Sequence, residues 1–244
     1  MIYKISPSPN WMEIIKESRI RNYIISSGDN DVGQINIKDL QDEFINLDRF
    51  KNVLKLQNVG ELIYRENSFH TNPNNSVLSL DWTIYDCNNN TAMEIVGHTK
   101  EIETEKKKFF SKETKKVVKK YFYHEIAING RTFILYNTCL GKDKQYYTIY
   151  EGEKIVSVLY HYDKIVEFGH TLEVYCINDE IVEIMSLLYC LYLNCHQFYK
   201  SNKTIIQENG CINESFSSES KYLTDKFNQE FVDRIIAESE KEAF

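Results

Sequence analysis

"WTIYDCNNNTAMEIVG", residues 82–97, is the stretch on which the reading of this chain turns. It runs aromatic–Thr–Ile–Tyr–acid, passes through a polar turn, and ends in residues that favour strands. Residues 147–160, "YTIYEGEKIVSVLY", repeat that order sixty-five positions later. Each copy reads as a β-hairpin. A lone hairpin with one apolar face is marginal in water. Two similar units can close around a shared core, and closure removes the exposed sheet edges.

The surrounding text extends the pattern. From Asn52 the apolar residues recur with a period of two: "VLKLQ", "ELIYRE", "YFYHEIAI", "TFILYN", "KIVEFG" and "TLEVYCI". Asn129-Gly130, between two of these runs, is a strong hairpin signal because Asn-Gly accepts positive φ cheaply. Turn signals about every eight to twelve residues suit an antiparallel sandwich or barrel.

"NDEIVEIMSLLYCLYLNCHQFYK" breaks this pattern. Asn178 reads as a helix cap, with acids in the first turn. From Ile181 to Cys195 the apolar residues cover every face. Such a helix belongs in a membrane or in a protein interior. A span needs roughly twenty apolar residues, and this run is shorter and contains Glu183. The expectation is a helix enclosed by strands and no transmembrane segment.

The two ends read differently. "NWMEIIKESRIRNYIISS" reads as a short helix, and "INIKDLQDEFINLDRF" places Ile37, Leu40, Phe44 and Leu47 at helical spacing. Between them, Gly33, Ile35 and Asp39 fall where a calcium loop would place its turn glycine, its hydrophobic residue and its last ligand. Gly28 and Val32 then occupy the first and fifth ligand places without a side-chain oxygen, so the stretch reads as a polar helix–helix turn. Beyond a polar segment from Ser201, Leu223, Phe227, Phe231 and Ile235 form one stripe of an amphipathic acidic helix. That stripe covers either its own barrel or a partner.

The expected architecture is α+β. Residues 1–51 form a helical extension, and 52–200 a closed antiparallel β-barrel of two related halves around a central hydrophobic helix at 179–198. Residues 201–244 supply a polar linker and a terminal helix. This arrangement resembles the tubby carboxy-terminal-like superfamily, which includes the plant LURP-one-related proteins, the phospholipid scramblases and the bacterial tubby-like proteins. "WTIYDCNNNTAMEIVG", "YYTIYEGEKIVSVLYHYDKIVEFGHTLEVY" and "NDEIVEIMSLLYCLYL" carry the resemblance, over about residues 52–200. It implies a barrel in two halves around a hydrophobic helix, and no catalytic signature belongs to it.

Chemistry is sparse. The net charge of −7 argues against a general nucleic-acid binder. The six cysteines never fall in C-x-x-C spacing, so no structural zinc or redox motif is indicated. No histidine pair has i, i+4 spacing, and there is no H-E-x-x-H, P-loop or G-x-S-x-G. The expectation is no catalytic residue, no metal and no cofactor, in a cytoplasmic protein with reduced thiols that can sit peripherally at a membrane.

The sharpest charge feature is "EKKKFFSKETKKVVKKYF". Lys106, Lys107, Lys108, Lys112, Lys115, Lys116, Lys119 and Lys120 crowd one loop and its flanks on an otherwise acidic chain. Phe109 and Phe110 sit at its apex. An anionic lipid surface suits lysines with interfacial aromatics. A solvated, self-repelling loop is the plainer reading, and a nucleic-acid backbone is a third. The alternative function is a cytosolic protein-binding inhibitor or toxin-immunity factor, steered by its acidic surface to a basic partner and using its terminal helices.

Overall fold

Positive-φ turns fix one end of the barrel. The structure, a computed structural model, describes residues 1–8, 20–46, 52–72, 81–107, 114–140, 144–162, 171–200 and 225–242. Its strands are β1 (Ile2–Pro7), β2 (Ile20–Ser27), β3 (Asn30–Asn46), β4 (Asn52–Tyr64), β5 (Asn67–Thr71) and β6 (Trp82–Asp86). They continue as β7 (Thr91–Lys107), β8 (Thr114–Ile128), β9 (Arg131–Leu140), β10 (Lys144–Glu151), β11 (Lys154–Tyr162) and β12 (Leu172–Cys176). Each strand pairs antiparallel with its sequence neighbour, and β1 closes the ring against β12.

In such a ring all odd strands run one way and all even strands the other. The even-to-odd turns therefore share one rim. They are short: Gly28–Asp29, Arg65–Glu66, Cys87–Asn90, Asn129–Gly130 and Gly152–Glu153. Every described residue with positive φ lies in them, namely Gly28, Arg65, Asn89, Asn129, Gly130 and Gly152. Asn129 at 48° and Gly130 at 74° give the two left-handed residues that a type I′ turn demands.

Both copies of the repeated stretch are hairpins, β6–β7 and β10–β11. Each carries a register shift at the same place, between Ile84 and Tyr85 in one and Ile149 and Tyr150 in the other. A third hairpin, β2–β3, has the corresponding shift between Ile25 and Ser26. The inward aromatic two residues earlier is Tyr23, Trp82 or Tyr147, each buried, and Ile25, Ile84 and Ile149 are fully buried. A bulge sharpens the local twist, and here it recurs every fourth strand around the ring.

Helix α1 (Glu180–Lys200) follows β12 after a three-residue link. Asp179 caps it, its Oδ1 accepting from the backbone N–H of Ile181 at 3.0 Å and of Val182 at 3.1 Å. The cap expected at Asn178 is thus corrected by one position. Every residue from Met185 to Cys195 is buried. The partners lie on widely spaced strands. Tyr192 meets Trp82 of β6 edge-on at 5.4 Å, and Tyr189 accepts or donates a 2.8 Å hydrogen bond with His124 of β8. Tyr147 of β10 lies 5.9 Å from the Tyr189 ring, and the Ser186 hydroxyl bonds that of Ser157 on β11 at 2.8 Å. On β4, a Cβ at Gly60 would fall 2.6 Å from both Cys195 Sγ and the Leu191 side chain. Glycine here lets strand and helix approach.

The helical reading of residues 1–51 is corrected. Ile20–Ser27 and Asn30–Asn46 are strands of the ring, as is Ile2–Pro7. Tyr23, Ile25, Ile35 and Ile37 alternate inward with the strand period and are buried in the main core. The barrel therefore begins at β1 and not at residue 52. Gly28–Asp29 is a hairpin turn between strands, so no helices flank the stretch compared with a calcium loop. Of the stretch 10–27 read as a helix, residues 20–27 are strand β2 and residues 10–19 lie outside the described residues.

Candidate functional site

Among the described residues, three places hold polar and aromatic groups that could serve a function: the tight-turn rim, the outer face under the last helix, and the opposite rim.

The N-terminus of α1 lies at the tight-turn rim, three residues after β12. Glu183 is 2 % exposed. Its carboxylate accepts from Arg65 at 2.8 Å and from the hydroxyl of Tyr64. The Tyr3 and Tyr64 hydroxyls lie 3.1 Å apart. Burial, reinforced by the bond to Glu183, pushes the Tyr64 phenol up to about 12, and burial holds Tyr3 well above its ordinary range. These groups stay protonated and act as donors, so the cluster is a closed hydrogen-bond set.

Arg131, just after the Asn-Gly turn, forms a second set. It bonds Glu151 through two nitrogens, each at 2.7 Å, and Asp179 at 2.9 and 3.0 Å. Arg131 lowers Glu151 below the usual carboxylate range, chiefly through that hydrogen bond. Burial pushes Asp179 up, but Arg131 and the cap N–H groups outweigh it, and its carboxyl also sits low. Carboxyls held low in the folded chain stabilise it fully above their ordinary values. That contribution fades as pH falls through the lowered ones. Arg131→Gln is therefore expected to destabilise the protein at pH 7, with the gap to wild type narrowing below about pH 4. Urea unfolding at pH 7 and pH 3 measures this. An equal gap at both values would mean that Arg131 acts only by packing on Phe133, whose ring lies 5.1 Å below its guanidinium.

Helix α2 (Gln229–Glu242) covers the outer face of β1, β10, β11 and β12. Phe231, Val232 and Ile235 are buried there against Tyr146 and Val158. Phe227, just before the helix, lies 4.1 Å from the Tyr146 ring, which in turn stacks on Tyr160 at 4.8 Å. Tyr150 donates to the carbonyl of Lys226 at 2.7 Å. Phe227, Phe231 and Ile235, read from the sequence as a stripe for a partner or for the barrel, are thus packed on the chain's own barrel. Leu223 lies outside the described residues.

The opposite rim carries the lysines. The ladder of β8 with β9 runs from Tyr123↔Tyr136 to Ile128↔Arg131, and that of β7 with β6 ends at Ile95↔Trp82. The ladder of β7 with β8 continues to Lys107↔Thr114. Thr99–Lys107 and Thr114–Phe122 thus pair only with each other among the described residues, as a ribbon beyond the ladders of the ring. Its register sets Lys106 opposite Lys115, Lys107 opposite Thr114 and Glu105 opposite Lys116, with Lys119 and Lys120 opposite Ile102 and Glu101. Lys108, Phe109, Phe110 and Lys112 lie outside the described residues. A second ribbon, Asp39–Asn46 with Asn52–Asn58, leaves the same rim.

Among the described residues, no three His, Cys, Asp or Glu groups are arranged to hold a metal ion. Burial pushes the Cys176 thiol up to about 12 and Cys190 above its ordinary value, so both are poor nucleophiles at neutral pH. Cys87, in the β6–β7 turn, is exposed. No described helix is long and apolar enough to cross a membrane.

Sequence reading missed the Arg65–Glu183 and Arg131–Asp179 contacts. Glu183 alone was a signal, because an acid inside an apolar helix needs a cation. No protein-family model, no curated protein and no solved structure matches this chain.

Proposed function

We propose that this protein is a non-enzymatic, tubby-like binding module that contacts an anionic membrane surface through the Lys106–Lys120 hairpin. In this reading the barrel consists of two related halves, with α1 as its central filling. The observation that carries the reading is the lysine ribbon. Like charges directly opposite on neighbouring strands destabilise the pair, yet Lys106 stands opposite Lys115 in a ribbon that no third strand supports among the described residues. A dense anionic surface offsets that repulsion. A binding role over catalysis is supported by the buried polar side chains that bond one another: Tyr64 to Glu183, His124 to Tyr189 and Ser157 to Ser186.

Co-sedimentation with phosphatidylserine vesicles against phosphatidylcholine vesicles tests the proposal. Each lysine near such a surface contributes about 1 kcal/mol. Replacing Lys106, Lys107, Lys115 and Lys116 by glutamine is expected to weaken binding at least about a hundredfold and to leave the melting temperature nearly unchanged. Equal and negligible binding of the wild type to both vesicles would dispose of the idea. Binding that survives the four substitutions would move the contact elsewhere.

A further inference from the structure

The two rims differ in charge. The tight-turn rim exposes Asp29, Asp31, Glu66, Glu153 and Glu180, against exposed Arg65 and Lys154. Of its other cations, the Met1 ammonium donates to the Cys176 carbonyl at 2.7 Å and Arg131 is already shared between Glu151 and Asp179. Part of this acidity has a local cause. The N-terminus of α1 lies at this rim, and its partial positive charge favours acids such as Glu180. The helix then runs toward the rim from which the lysine ribbon leaves.

Two flanks are not basic either. The exposed face of α2 carries Glu230, Asp233, Glu238 and Glu240 against Arg234 and Lys241. Across the ring, the outer surface of β7 and β8 presents Glu94 and Glu125. An anionic plane approaching from the tight-turn rim or from either of these flanks meets net negative charge.

Distance keeps the rims independent. Eight residues of β10 at about 3.3 Å each, tilted as barrel strands are, separate the rims by roughly 20 Å. Screening at physiological salt acts over about 8 Å. A bilayer touching the ribbon is therefore more than two screening lengths from the acidic rim. The reverse orientation would press that rim against like charge.

We infer that the protein docks end-on, with the lysine ribbon in the headgroup layer of an anionic bilayer and the tight-turn rim held away from it. This rests on the lipid-binding reading and adds an orientation to it. The ring axis then stands along the membrane normal, and the rim carrying Arg65, Arg131 and Cys87 faces the aqueous side, open to further contacts.

Cys87 makes the orientation measurable, because it is exposed in the turn between β6 and β7. Full-length protein with Cys139 and Cys211 replaced by alanine would carry a fluorophore on Cys87. A second version, Cys87→Ser with Thr114→Cys, would carry it where the described ladder of the ribbon ends. Vesicles would contain phosphatidylserine and a spin-labelled headgroup lipid that quenches only at close range. The expected result is strong quenching at position 114 and almost none at 87, with co-sedimentation confirming that both are bound. Reversing the rim by Asp29→Lys, Asp31→Lys, Glu66→Lys and Glu153→Lys should raise quenching at 87 several-fold. Bound protein quenched equally at both positions would overturn the orientation and leave the lipid reading standing. Labelled proteins that melt like wild type but fail to sediment with these vesicles would overturn both.

Discussion

Alanine at Leu187, Leu188, Leu191 or Leu193 is expected to cost about 2–5 kcal/mol each, whichever flank of α1 the residue occupies. Leu187, Leu191 and Leu188 lie within about 100° of one another around the helix and Leu193 on the far side, and all are at most 1 % exposed. An amphipathic surface helix would behave differently: one flank would tolerate the change at about 0.5 kcal/mol or less. In a protein of this size each kcal/mol shifts the melting temperature by roughly 2–4 °C, so every variant should melt about 5–20 °C lower. Leu191→Asp goes further. It places an unpaired carboxylate beside Gly60, where the strand leaves no room for water, and no folded protein is expected. Thermal and urea unfolding of the set is decisive. A silent leucine would mean that its flank of α1 is wet and that the ring does not enclose the helix.

Arg65→Ala is expected to cost about 2–3 kcal/mol, more than an ordinary surface arginine. The substitution removes the cation beside Glu183, whose side chain is 3 % exposed, and leaves it with hydroxyl partners such as Tyr64. Breaking a fully buried pair costs about 3–5 kcal/mol. Arg65 is half exposed, so water already screens it and the loss is smaller. Removing both charges, Arg65→Ala with Glu183→Leu, should recover much of the stability, since no unpaired charge remains inside. Urea unfolding of the two single variants and the double variant gives the coupling directly. A coupling below about 0.3 kcal/mol, within the range for independent sites, would show that the pair does not anchor the helix entry.

Much of the barrel was legible from local chemistry. Asn129-Gly130 selects its turn without help from the rest of the chain, and the doubled hairpin announces itself by its order of residue types. The fully apolar run from Met185 to Cys195 demands an interior. The third bulged hairpin, at Tyr23 and Ile25, was also present in the text. Serines stand where the other copies have a tyrosine and an acid, and that hid the likeness.

The misreading of β3 has a physical cause. Ile37, Leu40, Phe44 and Leu47 satisfy the helical period, while Ile35 and Ile37 satisfy the strand period. Which period wins depends on whether β2 and β4 are present to take up the backbone hydrogen bonds, and those partners come from other parts of the chain. The ladders of β2 with β3 and of β3 with β4 supply them, and local preference yields to pairing. The terminal stripe is a similar case. Its amphipathic pattern was plain, but only the fold shows that Tyr146 and Val158 form the surface it covers.

The sequence by itself determined the turns, the alternating strands and a helix that cannot face water, because these depend on residues within a few positions of one another. Tertiary structure alone decided that β1 meets β12, that Arg131 joins Glu151 to Asp179, and that the lysines and the exposed turn acids lie at opposite ends. Those outcomes follow from ring closure. Closure brings together groups tens to hundreds of positions apart, and its hydrogen bonds form only when every strand has found both neighbours.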